Sequence, residues 1–274
     1  AEECSRLELS MDVFEWLCNH QDLADWNGLG FVLQAYQKRS IAVAQWLVEL
    51  ASNRPLGFMV RLVKGAYWDT EIKIAQQLGL KDYPVFTDKA HTDLSYEACM
   101  HILLRSDRIY CQFATHNARS VAQVIEATKN RDASFELQKL HGMGDLLYTL
   151  VRERYPSIPV RTYAPVGQHE DLLPYLVRRL LENGANSSFV NRFLDKQLPV
   201  DDLIADPICA LMRSDGGNTA TAAPSESTST VSSATSPIPL PSAIFSSAPI
   251  PWSASKGFDL DDRALIAEMS QRAV

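Results

Sequence analysis

Two adjacent arginines, Arg178 and Arg179, lie in the leucine-rich stretch PYLVRRLLENGAN, with Tyr175 one helical turn before them. Neighbouring cations repel, and a helix built only for solubility usually intersperses opposite charges. Two guanidinium forks on one face suit bidentate capture of a carboxylate. At about 100° per residue, Leu172, Leu173, Leu176, Val177, Leu180 and Leu181 fill one half of the wheel. Tyr175, Arg178, Arg179 and Glu182 share a sector opposite. That sector reads either as a carboxylate site turned toward the protein, with Tyr175 shaping the pocket, or as a solvated face with an ordinary Arg178–Glu182 pair. Pro174 suits such a helix only in its first turn.

Stretches that alternate along the chain must position these residues. GFVLQAYQ, GFMVRLVKGAY, RIYCQFATHN, FELQKLHGMG and PVRTYAPVG have strand length and composition, and start at about 31, 58, 109, 135 and 159. The first twenty or so residues, SIAVAQWLVELA, DTEIKIAQQLGL, ARSVAQVIEATKN, DLLYTLVRERY and the arginine stretch read as helices. One longer connection spans roughly 80 to 95. Strict alternation implies a parallel sheet covered by helices, an α/β fold. An open doubly wound sheet and a closed (β/α)8 TIM-like barrel both fit. Five strands fall short of the eight of a barrel, so the chain reads as an incomplete barrel with its first three strands missing.

In either fold, ligands meet the carboxyl ends of the strands. Those ends gather Gln34, Arg61, Lys64, Tyr67, Trp68, Thr115, His116, Asn117, His141 and Tyr163. Strand ends are often polar simply because they are wet. Arg61 and Lys64, however, interrupt the apolar run MVRLVKG, and a buried cation needs a partner, commonly a ligand anion.

Composition narrows the class. A net charge of −7 argues against a protein that coats nucleic acid. Five cysteines, an odd count without a CxxC pair, look like the reduced thiols of an intracellular protein. The six histidines lack zinc-site spacing, and no metal is expected. There is no apolar run of bilayer length. GxGxxG after a strand, GxxxxGK[ST] and GxSxG are absent, which weighs against classical Rossmann, P-loop and α/β-hydrolase folds. Residues 196–256 read as a linker, largely rich in Ser, Thr, Ala and Pro, and 257–274 recover helical spacing. Beginning on Ala1, the chain reads as an internal piece of a longer product.

RLVKGAYWDTEIK, QFATHNA, LHGMGDLLY, YAPVG and YLVRRLLENGANSSFVNR, in this order, closely resemble the proline dehydrogenase module of the bifunctional proline utilisation A flavoenzymes. The resemblance covers residues 1 to about 195 and resumes at PIPLPSAIF, similar to the connector toward that family's aldehyde dehydrogenase module. It implies a (β/α)8 barrel with FAD at the strand ends, oxidation of L-proline to Δ1-pyrroline-5-carboxylate, and quinone as electron acceptor. It further implies a cytoplasmic protein in peripheral contact with the inner face of the membrane. DNA binding finds no support in this segment.

Carried onto matching positions, Arg178 and Arg179 would bind the proline carboxylate. Tyr175, Tyr163 and Leu140 would pack about the ring, and Tyr67 would support the arginine pair. Arg61 would lie near the reactive ring of the flavin. Gln34, Lys64, Gly65, Ala66, Trp68, Thr87, Lys89, Thr115, His116 and Asn117 would hold FAD, and Glu182 would steady the arginine helix. The alternatives are a non-catalytic scaffold remnant and another FAD-barrel oxidoreductase.

Overall fold

Alternating burial along the central strands marks a sheet with one face packed under helices. In the computed structural model, which describes residues 3–129, 134–184, 204, 206–215, 238–244 and 257–272, the strands are β1 (Gly30–Gln34), β2 (Phe58–Val63), β3 (Ile109–Ala114), β4 (Phe135–Leu140) and β5 (Val160–Tyr163). Every pairing is parallel, and the five strands lie side by side in chain order. Doubly wound sheets reverse strand order at a switch point. This sheet does not, so that alternative falls.

Helix α1 (Leu7–Asn19) precedes β1, and α2 (Ser40–Ser52) joins β1 to β2. Two helices, α3 (Trp68–Gln77) and α4 (Lys89–Leu103), connect β2 to β3. Next come α5 (Ala118–Thr128), α6 (Asp145–Arg154) and α7 (His169–Gly184), then α8 (Pro207–Asp215) and α9 (Arg263–Arg272). The main core lies between the sheet and α1, α2, α4, α5 and α6. Leu33, Phe58, Val60, Leu62, Cys111, Phe113 and Leu137 meet Phe14, Leu47, Leu103, Val124 and Tyr148 there. The opposite face carries Arg61, Gln112, Glu136 and Arg161 and is polar.

Several expectations need adjusting. The strands are shorter than the runs that predict them, because Lys64, Thr115 and His141 already lie in the turns beyond. The long connection contains the start of α4, capped by Asp88, whose Oδ1 accepts the Ala90 N–H at 2.7 Å. Pro174 is the sixth residue of α7 rather than a first-turn residue. Its missing N–H would have reached the Glu170 carbonyl. Within the expected linker, α8 forms and packs against α4. Residues 196–203, 205, 216–237 and 245–256 lie outside the described residues.

The chain beyond that stretch returns to the sheet domain. Tyr83 Oη donates to the Pro239 carbonyl at 2.7 Å, and Ile238 packs near Tyr36, Ile72 and Val85. The Gly257 N–H donates to the Gly79 carbonyl at 3.0 Å. Arg263, the first residue of α9, pairs with Asp12 and Glu8 of α1.

Candidate active site

Three helices begin at the carboxyl ends of neighbouring strands. Asn117 caps α5, its side chain accepting from the Ser120 N–H at 3.2 Å, while its own N–H donates to Thr115 Oγ1. Asp88 caps α4, and α3 opens at Trp68, whose indole Nε1–H donates to the Phe86 carbonyl at 2.8 Å. Gly65, at φ +130°, sits against Tyr36, and a Cβ there would lie 2.5 Å from that ring. Only glycine fits there. Gln34 ends β1 and is buried, while Ala66 and Thr87 lie in half-buried turns.

Lys64 and Lys89 meet on one carboxylate. Asp93 Oδ1 is 2.5 Å from Lys64 Nζ and 3.0 Å from Lys89 Nζ. Burial, reinforced by Lys89, pushes Lys64 down to about 8, and Asp93 opposes that shift. The same two cations overcome burial and hold the Asp93 carboxyl below its ordinary range.

Helix α7 presents its two sectors differently. Leu173, Leu176 and Val177 are 48%, 45% and 43% exposed, whereas Tyr175, Arg178 and Arg179 are half-buried. The helix turns its polar sector inward. The Arg178 guanidinium stands 5.2 Å over the Tyr67 ring, and Arg179 stands 5.3 Å over Tyr175 one turn earlier. Tyr175, Arg178 and Arg179 are therefore not fully solvated. The Glu182 side chain lies outside the described residues.

Arg61 reaches to the far side of the sheet and lies 4.7 Å from the centre of the Tyr163 ring. The Nε atoms of Arg61 and Arg178 are buried and take no hydrogen bond among the described residues. Such orphaned donors suit an anionic or carbonyl-bearing ligand. His116 Nε2 accepts the Leu140 N–H at 3.1 Å, so the ring is neutral with its proton on Nδ1. Burial first, then Arg179 and Lys139, push its pKa to about 4. Tyr148 Oη, 2.6 Å from the Thr115 carbonyl and 3.1 Å from that of Gln138, ties the ends of β3 and β4.

Among the strand-end residues, Gln34 and Thr115 are buried, Arg61, Lys64, Tyr67, Trp68, His116, Asn117 and Tyr163 are half-buried, and His141 is exposed. Sequence reasoning missed Asp93, Tyr148 and Glu136. Glu136 accepts from Tyr110, Gln112, Gln138 and Arg161 on the polar face of the sheet. Asp93 had a signal, an i,i+4 Lys–Asp spacing after an Asp helix cap.

Known proteins bear on this arrangement. The proline dehydrogenase family matches residues 1–192. The chain is 53% identical over 218 residues to the bifunctional protein PutA of Escherichia coli K12, covering 77% of this chain and 16% of that protein. It is 53% identical over 212 residues to bifunctional PutA of Rhizobium meliloti, covering 76% and 17%. A solved structure of a Bradyrhizobium japonicum proline utilization A variant superposes with a TM-score of 0.85 at 47% identity, covering 99% of this chain and 26% of that one. The chain therefore spans about a sixth of the curated relatives' length. Sequence and backbone point the same way: the chain belongs to the proline dehydrogenase family.

Proposed function

We propose that the chain carries the substrate and cofactor site of a flavin-dependent oxidoreductase that converts L-proline to Δ1-pyrroline-5-carboxylate, with quinone as final electron acceptor. The observation that carries this reading is the inward turn of Arg178 and Arg179 while Leu173, Leu176 and Val177 of α7 face outward. Two forks over the strand ends suit the carboxylate of an amino acid. Tyr175, Tyr163 and Leu140 would bound its ring, and Tyr67 supports Arg178 from beneath.

The residues present fit flavin adenine dinucleotide. Lys64 and Lys89 and the first turns of α3, α4 and α5 lie at the strand ends, as its diphosphate requires. Gln34, Lys64, Gly65, Ala66, Trp68, Thr87, Lys89, Thr115, His116 and Asn117 would hold it, with Arg61 beside its reactive ring. When bound, it supplies the two-electron acceptor that protein side chains lack.

The chain's own residues supply position and field. Fixing the carboxylate on Arg178 and Arg179 presents the ring carbon beside nitrogen at one place and angle. Hydride loss needs a neutral amine, and the surrounding guanidinium groups disfavour its protonated form. The neutral His116 adds no charge to this balance.

The strand order and the one-sided helices support an arc of a (β/α)8 barrel. In the longer protein, the product would pass to an aldehyde dehydrogenase module. Among the described residues no helix is long and apolar enough to cross a membrane, and we place the protein in the cytoplasm, meeting quinone from the inner membrane face. A second reading, a segment that forms a site only with further strands, is favoured by the exposure of Arg161 and Thr162 on β5 and of the apolar side of α7.

The test is to load the purified chain with FAD, remove the excess and add proline without oxygen. A retained flavin band that bleaches supports the proposal. Loss of the flavin on removing excess favours the second reading. A retained band indifferent to proline indicates a different oxidoreductase.

A further inference from the structure

Lys64 leaves the end of β2 and Lys89 opens α4, yet their ammonium groups share one acid. Asp93 Oδ1 takes both, and Oδ2 lies 3.1 Å from Lys89 Nζ. Asp93 follows Lys89 by one turn of α4, and Tyr96, nearly a turn further, places its ring 5.6 Å from Lys64 Nζ. Arg119 of α5 is the remaining cation acting on Lys64, and it is itself paired with Glu97 of α4. The cluster holds three cations and two carboxylates, which leaves one positive charge.

Without an acid between them, two ammonium groups at this distance repel, and a part-buried lysine sheds its proton or swings into water. Each ammonium has three N–H donors, so pairing with Asp93 leaves donors free to face a second anion. We propose that Asp93 is a positioning residue of the cofactor seat, clamping Lys64 and Lys89 side by side so that both present donors to the flavin dinucleotide's diphosphate. This rests on the cofactor reading above. By charge alone, removing an acid near an anion site would tighten anion binding. The clamp gives the opposite sign, which separates it from a plain electrostatic neighbour.

Two measurements on the full chain test it. The first is amine labelling of Lys64 across pH, followed by mass spectrometry, in wild type, Asp93→Asn and Asp93→Glu. The second is the FAD dissociation constant of the same three proteins. Wild-type labelling should set in near the folded value of about 8. Asp93→Asn should lower that midpoint by about one unit and weaken FAD binding by about tenfold. Asp93→Glu, which keeps the charge, should restore the midpoint and part of the affinity. An Asn variant that labels like wild type, or that binds FAD equally or more tightly, overturns the clamp. A wild-type chain that takes up no FAD overturns the cofactor reading and this role with it, an outcome recognisable without any variant.

Discussion

The guanidinium of Arg61 on β2 lies 4.7 Å from the ring centre of Tyr163 on β5, three strands away. Strands are spaced about 4.8 Å apart, so a flat sheet would separate these two backbones by about 14 Å. Both side chains lean over the polar face, which is the face free of the main helical core. That face is therefore a concave floor, and α7 covers part of its rim with arginines.

Tyr163→Leu keeps an apolar side chain but removes the aromatic face beneath Arg61. The expected loss is about 1 kcal/mol of stability, measured by urea unfolding, with the far-ultraviolet spectrum unchanged. A larger proline requirement should accompany it.

Tyr148→Phe removes the hydroxyl between the Thr115 and Gln138 carbonyls. Both carbonyls lie in a buried setting, and leaving them unmet should cost about 1–3 kcal/mol. Hydrogen exchange should rise first at the ends of β3 and β4. Uniform exchange across the sheet would show that the tyrosine only fills space.

His116 sets a pH dependence whose sign is fixed. Its folded pKa, about 4, lies below the ordinary 6.5, so the unfolded chain binds more protons between those values. Stability from this group is fully present above pH 6.5 and declines as pH falls toward 4. The lowered carboxyls of Asp93 and Glu136 also lose stabilisation as acidity increases through their own folded values. His116→Phe should flatten the unfolding free energy between pH 6.5 and 4, leaving the carboxylate losses in place.

A Cβ at Gly257 would fall 1.5 Å from the Leu78 carbonyl oxygen. Gly257→Ala should therefore release the docked segment around Gly79 without unfolding the sheet. Limited proteolysis reads this as faster cleavage near 257, with the sheet domain still resistant.

The alternation of strands and helices was legible because β-branched and aromatic runs such as FMVRLV and IYCQFA alternate with helical spacing. The facing of α7 was not. A helical wheel gives two opposed faces but not which one meets the protein, and here Leu173, Leu176 and Val177 face outward. The first turns of α4 carry polar residues without an apolar period, so Asp93 was hidden in an apparent loop. In FELQKL, Glu136 sits at a position that reads as solvent-facing, yet its network of donors buries it to 2% exposure. These misses share a cause: each residue's role is set by partners distant in sequence.

The inward-facing arginine pair is the central claim, and an anaerobic proline titration of the FAD-loaded chain tests it most directly. Wild type should be compared with Arg178→Met and Arg179→Met, following the flavin band. The account predicts that each variant keeps its flavin but needs about 10- to 100-fold more proline for half-bleaching, the cost of one charge-assisted contact. Variants that retain flavin and bleach at the wild-type proline concentration would contradict it.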